Sequence, residues 1–384
     1  MTETDVAQRA MLWMPGPGVN SRTEIQVFDH HRVPVDPLVA LEWEREILVR
    51  RAFSDCSSVV LVQAAEGHSG RAFKVEASLE RPAPFSRPLP FMLKIDRIAK
   101  VEQEHTNYWE YVDPAVPFHL RPRFDLTRCF SGYEFGILVA SFVTDSDSLI
   151  DVLARGAGQQ TMYSLYDAAL AGWHSQVSSP SELRTDAVAA HLMRAVDCTF
   201  KTFASTRAAA VKAQGCLRTP EALLIALASL PSISYRVSPA HGDLHPSNVR
   251  SRRGDAILID FYSTLPTAPA VFDSAWLEVS TAFSARAAGL TGWREMVDEL
   301  YDLTMLRKPP APQSETARAN WLHQMIRQIR LFAFAEQETD LEYAQVIAFC
   351  LVRYGGFCPK TDAHAKAREV AFILGERLVV QLGA

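Results

Sequence analysis

The stretch that decides the reading is His241-Gly242-Asp243-Leu244-His245-Pro246-Ser247-Asn248, followed by Ala256-Ile257-Leu258-Ile259-Asp260-Phe261. The first part is polar and turn-rich, with Gly242 and Pro246 breaking any regular element. The second is a short apolar run ending on a carboxylate, the pattern of a buried strand that delivers Asp260 at its end. Outward from this segment, periodicity divides the chain. Residues 58–65 and 71–79 read as strands around the turn Glu66-Gly67-His68-Ser69-Gly70, a glycine-bearing hairpin. Residues 81–90 are proline-rich and read as a loop. Residues 91–96 read as a third strand, 101–112 as a helix with Tyr108 and Val112 on one face, and 135–143 as a buried strand. Before them, Leu38, Leu41, Ile47, Leu48 and Phe53 recur near helical spacing over residues 36–53. From Ser148 to Ser234 the pattern is mostly helical. Two short strands flank residues 241–260, and helices fill the rest. Strands first, then helices, with one late β island, imply an α+β protein with a small β-rich N-terminal part and a larger helical C-terminal part. The expected divisions are 1–54, an extension with a helix; 55–143, the β-rich part; and 144–384, the helical part.

The residue types in the central segment suit one chemistry. Phosphoryl transfer needs an oriented nucleophile and metal ions that neutralise charge on the phosphates, with little covalent help from the protein. One carboxylate must accept a hydroxyl proton. An amide oxygen and a second carboxylate must hold magnesium, a hard cation that takes oxygen ligands. Asp243, Asn248 and Asp260 supply that set. The D-x-x-x-x-N spacing from Asp243 to Asn248 equals that of a kinase catalytic loop, and Asp260-Phe261 at the end of an apolar strand matches the metal-binding Asp-Phe pair of such enzymes.

The combination HGDLHPSN with LIDF resembles the aminoglycoside phosphotransferase and choline kinase superfamily, whose members look like protein kinases but usually carry HGD rather than HRD. Val271-Phe272-Asp273-Ser274-Ala275 is similar to that family's DLA element. The resemblance covers roughly residues 55–280. It implies a bilobal kinase-like fold that uses ATP and Mg2+, with nucleotide in a cleft between lobes. It also implies Asp243 as catalytic base, Asn248 and Asp260 as metal ligands, and His241 and Asp273 as structural support. Lys94, on the third strand, would contact the phosphates and pair with a glutamate on the next helix, Glu104 or alternatively Glu102. Gly67, His68, Ser69 and Gly70 would cover the phosphates, and Ser141 and Val143 would offer backbone groups to adenine. The segments at 326–334 and 342–357, with the EGHSG turn, also look like a kinase-like subgroup found beside bacterial conflict modules, the ternary-complex-associated domains.

Two functions follow from the resemblance. One is transfer of the γ-phosphate to a hydroxyl of a small molecule that is aminoglycoside-, amino-alcohol- or nucleoside-like, in an enclosed acceptor cavity beside Asp243. The alternative is a kinase-fold regulatory module with a protein partner, nucleotide binding and little turnover. Tyr262 stands where protein kinases have glycine, and only about ten residues separate Phe261 from Asp273, too few for a conventional activation segment.

Composition narrows the classes further. Of 384 residues, 48% are hydrophobic and 22% charged, which is ordinary for a globular chain. The net charge of −5 argues against a general nucleic-acid binder. Six cysteines without a C-x-x-C pair read as reduced core residues. A polar N-terminus and the lack of a run of about 18 apolar residues predict no signal peptide and no membrane span, hence a cytoplasmic protein. His30-His31 reads as a loop. The acidic stretch Glu336, Glu338, Asp340, Glu342 reads as a solvated helix junction rather than a cation receptor. Trp276, Trp293 and Trp321 read as core rather than as an aromatic cage.

Overall fold

A computed structural model describes residues 18–64, 71–81, 88–176, 183–196, 218–308, 320–356 and 365–383. The chain divides into two compact units: Met1–Pro114, Phe118–Ser146 and Ile259–Tyr262 form one, and the remaining residues the other. The architecture is mixed α+β, sheet-rich towards the N-terminus and helical towards the C-terminus.

The first unit is built on a seven-stranded sheet. In chain order its strands are β1 (Glu24–Phe28), β2 (Pro34–Val35), β3 (Cys56–Gln63), β4 (Arg71–Leu79), β5 (Leu89–Arg97), β6 (Phe130–Ser131) and β7 (Phe135–Ser141), arranged β2-β1-β3-β4-β5-β7-β6. The expected hairpin is the antiparallel β3–β4 pair; its turn, with Gly67, His68, Ser69 and Gly70, lies outside the described residues. The alternation of side chains along a strand separates the two faces of β5 and β7. Leu93, Ile95, Ile137 and Val139 enter the main apolar core with Leu41, Leu48, Val49 and Ala52 of helix α1 (Pro37–Ala52). Leu138 points the other way and packs with Val101 of helix α2 (Ile98–Asn107) and Cys129. Lys94 is directly opposite Leu138 in the β5–β7 register, so it shares the α2 face.

The extension contributes more than its helix. Strand β1 runs parallel to β3, with Ile25 opposite Val59; Ile25 and Val27 are buried in the core. His30 and His31 occupy the β1–β2 turn, ring centroids 3.9 Å apart.

Among its described residues the second unit carries three small sheets. These are β9 (Arg184–Asp186) with β10 (Ile233–Tyr235), β11 (Val237–Ala240) with β14 (Leu265–Pro269), and a three-stranded group in which β12 (Val249–Arg252) lies between β8 (Asp147–Ser148) and β13 (Asp255–Leu258). The β9–β10 pair interrupts a region whose composition read as helical. The core centres on α3 (Phe272–Ala282), every residue of which is buried, as expected of a helix covered on all sides. Helices α4 (Trp321–Glu336), α5 (Glu342–Gly356) and α6 (Ala365–Gly383) follow. Among the described residues no helix is long and apolar enough to cross a membrane.

Three of the four acidic residues of 336–342 meet arginines, and the fourth, Glu342, is buried. The Arg236 guanidinium donates to the Glu336 carbonyl and contacts the Glu338 carboxylate at 2.6 Å, and Arg307 pairs with Asp340 at 2.7 Å. Glu342 is fully buried and accepts the Glu338 backbone N–H. Burial pushes its carboxyl up to about 7, against an unfolded value of 4.5. Between those two values the folded chain holds a proton that the unfolded chain has released, so stability falls as pH rises through this window. Glu342→Gln carries no such penalty. Its melting temperature relative to the parent is therefore expected to rise from about pH 5 to about pH 8; a gap independent of pH in thermal melts would remove the buried charge as the cause.

Candidate active site

In the sheet unit, the β5 strand and α2 place three charged groups together. The Lys94 ammonium lies 2.6 Å from Glu104 Oε2 and 3.1 Å from Asp260 Oδ1. Of the two glutamates considered, Glu104 makes the pair because it shares the buried face of α2 with Val101 and His105; Glu102, two residues away, points elsewhere on the helix. Burial alone pulls the Lys94 pKa down, but Glu104 and then Asp260 outweigh it and the net displacement is upward, so the lysine stays charged. Burial pushes Glu104 up, with the Asp260 charge adding to it and Lys94 opposing.

The segment that carries Asp260 is pinned to α2. Asn107 Nδ2 donates to the carbonyls of Phe261 at 3.0 Å and Tyr262 at 2.8 Å. The buried Phe261 ring meets Tyr108 edge-on at 5.9 Å. Asp260 itself has φ 64°, the left-handed region that non-glycine residues avoid and that clusters at functional sites. Its side chain is 45% exposed. Two carboxylates share one ammonium, and the exposed one, Asp260, is a hard oxygen donor open to a cation; among the described residues no group of three or more His, Cys, Asp or Glu side chains gathers as a metal site.

In the helical unit, β11 leads into the segment 241–248, and β14 and α3 hold it. Asp273 Oδ2 accepts the His241 backbone N–H at 2.7 Å and Oδ1 that of Gly242 at 3.0 Å. Burial pushes Asp273 up, and His241 and the two backbone donors oppose that. Gly242 is required here: its φ is +78°, and a Cβ would sit 1.9 Å from the Ser263 carbonyl oxygen. His241 is fully buried with its ring against Trp173, a structural position. His245 caps the short 3-10 turn Pro246–Asn248, its Nδ1 accepting the Ser247 N–H at 3.2 Å. Asn248 Nδ2 donates to the Asp243 carbonyl at 3.0 Å, which turns its amide oxygen to the other side as an acceptor.

The Asp243 carboxylate is 35% exposed, with Oδ2 3.9 Å from His245 Nε2. Its Oδ1 accepts the Trp276 indole N–H at 2.9 Å. Trp276 is 6% exposed, the core position its apolar context implied. Its contact with Asp243 was not foreseen; the only signal was a polar-tipped aromatic one helical turn after Asp273. Asn107 was likewise missed, although it lies three residues after Glu104.

Other expected groups have different surroundings. The Ser141 N–H donates to the Arg123 carbonyl at 2.8 Å, and the Val143 carbonyl accepts the Ser146 hydroxyl. A cavity of about 270 Å³ in the helical unit is lined by Tyr166, Asp167, His174, Ser274, Phe332 and Glu336 among others; Asp243 is not among its lining residues.

No family model matches the chain, and no curated protein matches it. Among solved structures it is similar to an aminoglycoside phosphotransferase, APH(4)-Ia, in a ternary complex with ADP and hygromycin B. The TM-score is 0.43 at 15% identity, over 86% of this chain and 97% of that one. A choline kinase from Cryptosporidium parvum gives 0.41 at 12% identity, over 88% and 97%. An amicoumacin kinase, hAmiN, in complex with AMP-PNP, Ca2+ and Ami gives 0.39 at 13%, over 88% and 95%.

Proposed function

We propose that the chain is an ATP- and Mg2+-dependent phosphotransferase that moves the γ-phosphate to a hydroxyl of a small molecule, with aminoglycoside-, amino-alcohol- and nucleoside-like compounds as the acceptor classes. The observation that carries this reading is the Lys94 ammonium held between Glu104 and Asp260. A lysine kept charged and aimed by a buried glutamate is suited to nucleotide phosphates. Bound Mg2+ would neutralise charge on the phosphate oxygens, with Asp260 and Asn248 as its protein ligands.

The chain's own groups then divide the work. Asp243 accepts the proton of the acceptor hydroxyl as its oxygen bonds to the γ-phosphorus; the bond from that phosphorus to the β–γ bridging oxygen breaks, and ADP leaves. Asp273 fixes the backbone on which Asp243 stands. Lys94 orients the phosphates, and Glu104 keeps Lys94 in place.

Asp260→Ala tests the assignment. MgATP affinity is expected to fall on the order of 10–100-fold, the range for disturbing a metal site, while adenosine affinity stays close to the parent value. Calorimetry with both ligands reads the difference. Equal losses for MgATP and adenosine would report misfolding, and unchanged affinity for both would remove Asp260 from the metal.

A further inference from the structure

The contact between Trp276 and Asp243 has no place in the chemistry above. The Trp276 indole N–H donates to Asp243 Oδ1 at 2.9 Å. An aspartate carboxylate is two-fold about its terminal torsion, so a base with two equivalent oxygens presents neither one consistently. One fixed donor removes that equivalence. With Oδ1 engaged, Oδ2 becomes the oxygen turned towards the remaining open side, 3.9 Å from His245 Nε2. The His245 ring is itself oriented, since its Nδ1 accepts the Ser247 N–H.

The indole has two further contacts, both from α5. The Arg353 guanidinium lies over its face at 4.3 Å, and the Tyr354 ring meets it edge-on at 6.2 Å. Tyr354 is in turn tied to α3 through its hydroxyl, which donates to the Phe283 carbonyl just past the helix end. A cation over the ring draws electron density from the indole and strengthens its N–H as a donor. Asp273 and Trp276 are three residues apart on α3, hence neighbours on one helical face. A single helical turn therefore fixes both the backbone of the loop, through His241 and Gly242, and the carboxylate of the base.

We infer that Trp276 is a positioning residue: it holds Oδ1 so that Oδ2 of Asp243 takes the acceptor proton, and Arg353 strengthens that hold. The inference rests on Asp243 acting as the base.

The test uses the full chain with MgATP and water as the acceptor, reading ADP release in the parent, Trp276→Phe, Asp243→Asn and the double variant. Phenylalanine keeps most of the ring packing and removes the donor. The expected kcat of Trp276→Phe is about 10–100-fold lower, the scale of a hydrogen bond to a charged group, with KM for MgATP unchanged. In the Asp243→Asn background the same substitution is expected to cost nothing more, because a group acting only through the base has nothing left to act on. Arg353→Met leaves the indole donor in place and is expected to lower kcat by about 2–5-fold, again with no further effect in the Asp243→Asn background; it carries the test if Trp276→Phe fails to fold. An unchanged kcat in both variants, with turnover lost in Asp243→Asn, would overturn the positioning role and leave the base intact. A full further loss in the double variant would show that Trp276 acts through packing alone. Parent-like turnover in Asp243→Asn would overturn the base itself, a separate result.

Discussion

Asp243→Asn is expected to abolish most phosphoryl transfer while leaving the fold and nucleotide binding in place. General-base contributions are about 10²–10⁴-fold, and the loss should appear in kcat rather than in KM for MgATP. The structure makes this a clean substitution. The asparagine oxygen can still accept the Trp276 N–H, and the Asp243 carbonyl still takes the Asn248 amide, so the loop keeps its supports. What is lost is an oxygen able to take a proton from a hydroxyl. Single-turnover kinetics with labelled ATP, together with nucleotide binding by calorimetry, separate the two effects. Undiminished turnover would remove Asp243 from the reaction. Nucleotide binding reduced in step with turnover would instead point to a disordered loop.

Arg330→Ala is expected to cost about 3–5 kcal/mol of stability, the penalty for leaving a buried charge without its partner. Arg330 and Glu278 are 3% and 0% exposed, with Nη2 2.7 Å from Oε1 and Nε 3.0 Å from Oε2. The Tyr343 hydroxyl donates to the same carboxylate at 2.8 Å, and Arg330 also donates to the Leu300 carbonyl. Burial alone would lower the arginine pKa, but Glu278 outweighs it and the guanidinium stays charged. Alanine strands the Glu278 carboxylate in the middle of α3, among residues that are all buried. Replacing both partners by apolar residues of similar volume is expected to cost far less, since neither charge then remains. Urea unfolding of the two variants checks the pair. If the single and double replacements lost the same stability, volume rather than uncompensated charge would be the cause.

The two sets of groups differ in how far along the chain their signal is spread. Asp243, Asn248 and Asp260 lie within one short span, and the roles proposed for them come from residue types and spacings that need no coordinates. Arg330 and Glu278 are 52 positions apart, and neither stands in a motif. Each looks like an ordinary helical charge until α3 and α4 are packed together. Trp276 lies between these cases: its place after Asp273 was visible, but that its N–H reaches Asp243 depends on how α3 meets the loop.

The strands of the first sheet were legible because alternation is local. The 71–79, 91–96 and 135–143 segments correspond to β4, β5 and β7, each with one face in the core. Strand β1 was not legible. Its pairing with β3 joins residues about 34 positions apart, and a five-residue segment with two buried side chains has too little pattern to stand out from a loop.

By itself the sequence determined the residue types at Asp243, Asn248 and Asp260 and the order of strands before helices, because both depend on position along the chain. Only the tertiary structure decided between Glu104 and Glu102. Two residues apart on a helix means nearly opposite faces, and the choice falls to whichever face α2 lays against β5 and β7. The same packing set the left-handed turn at Asp260, through the Asn107 amide that holds the next two carbonyls. It also placed Trp276 against Asp243, with Arg353 and Tyr354 of α5 against the indole. Contacts of this kind join residues far apart in the chain, and their energy comes from which surfaces are buried together, which no local spacing encodes.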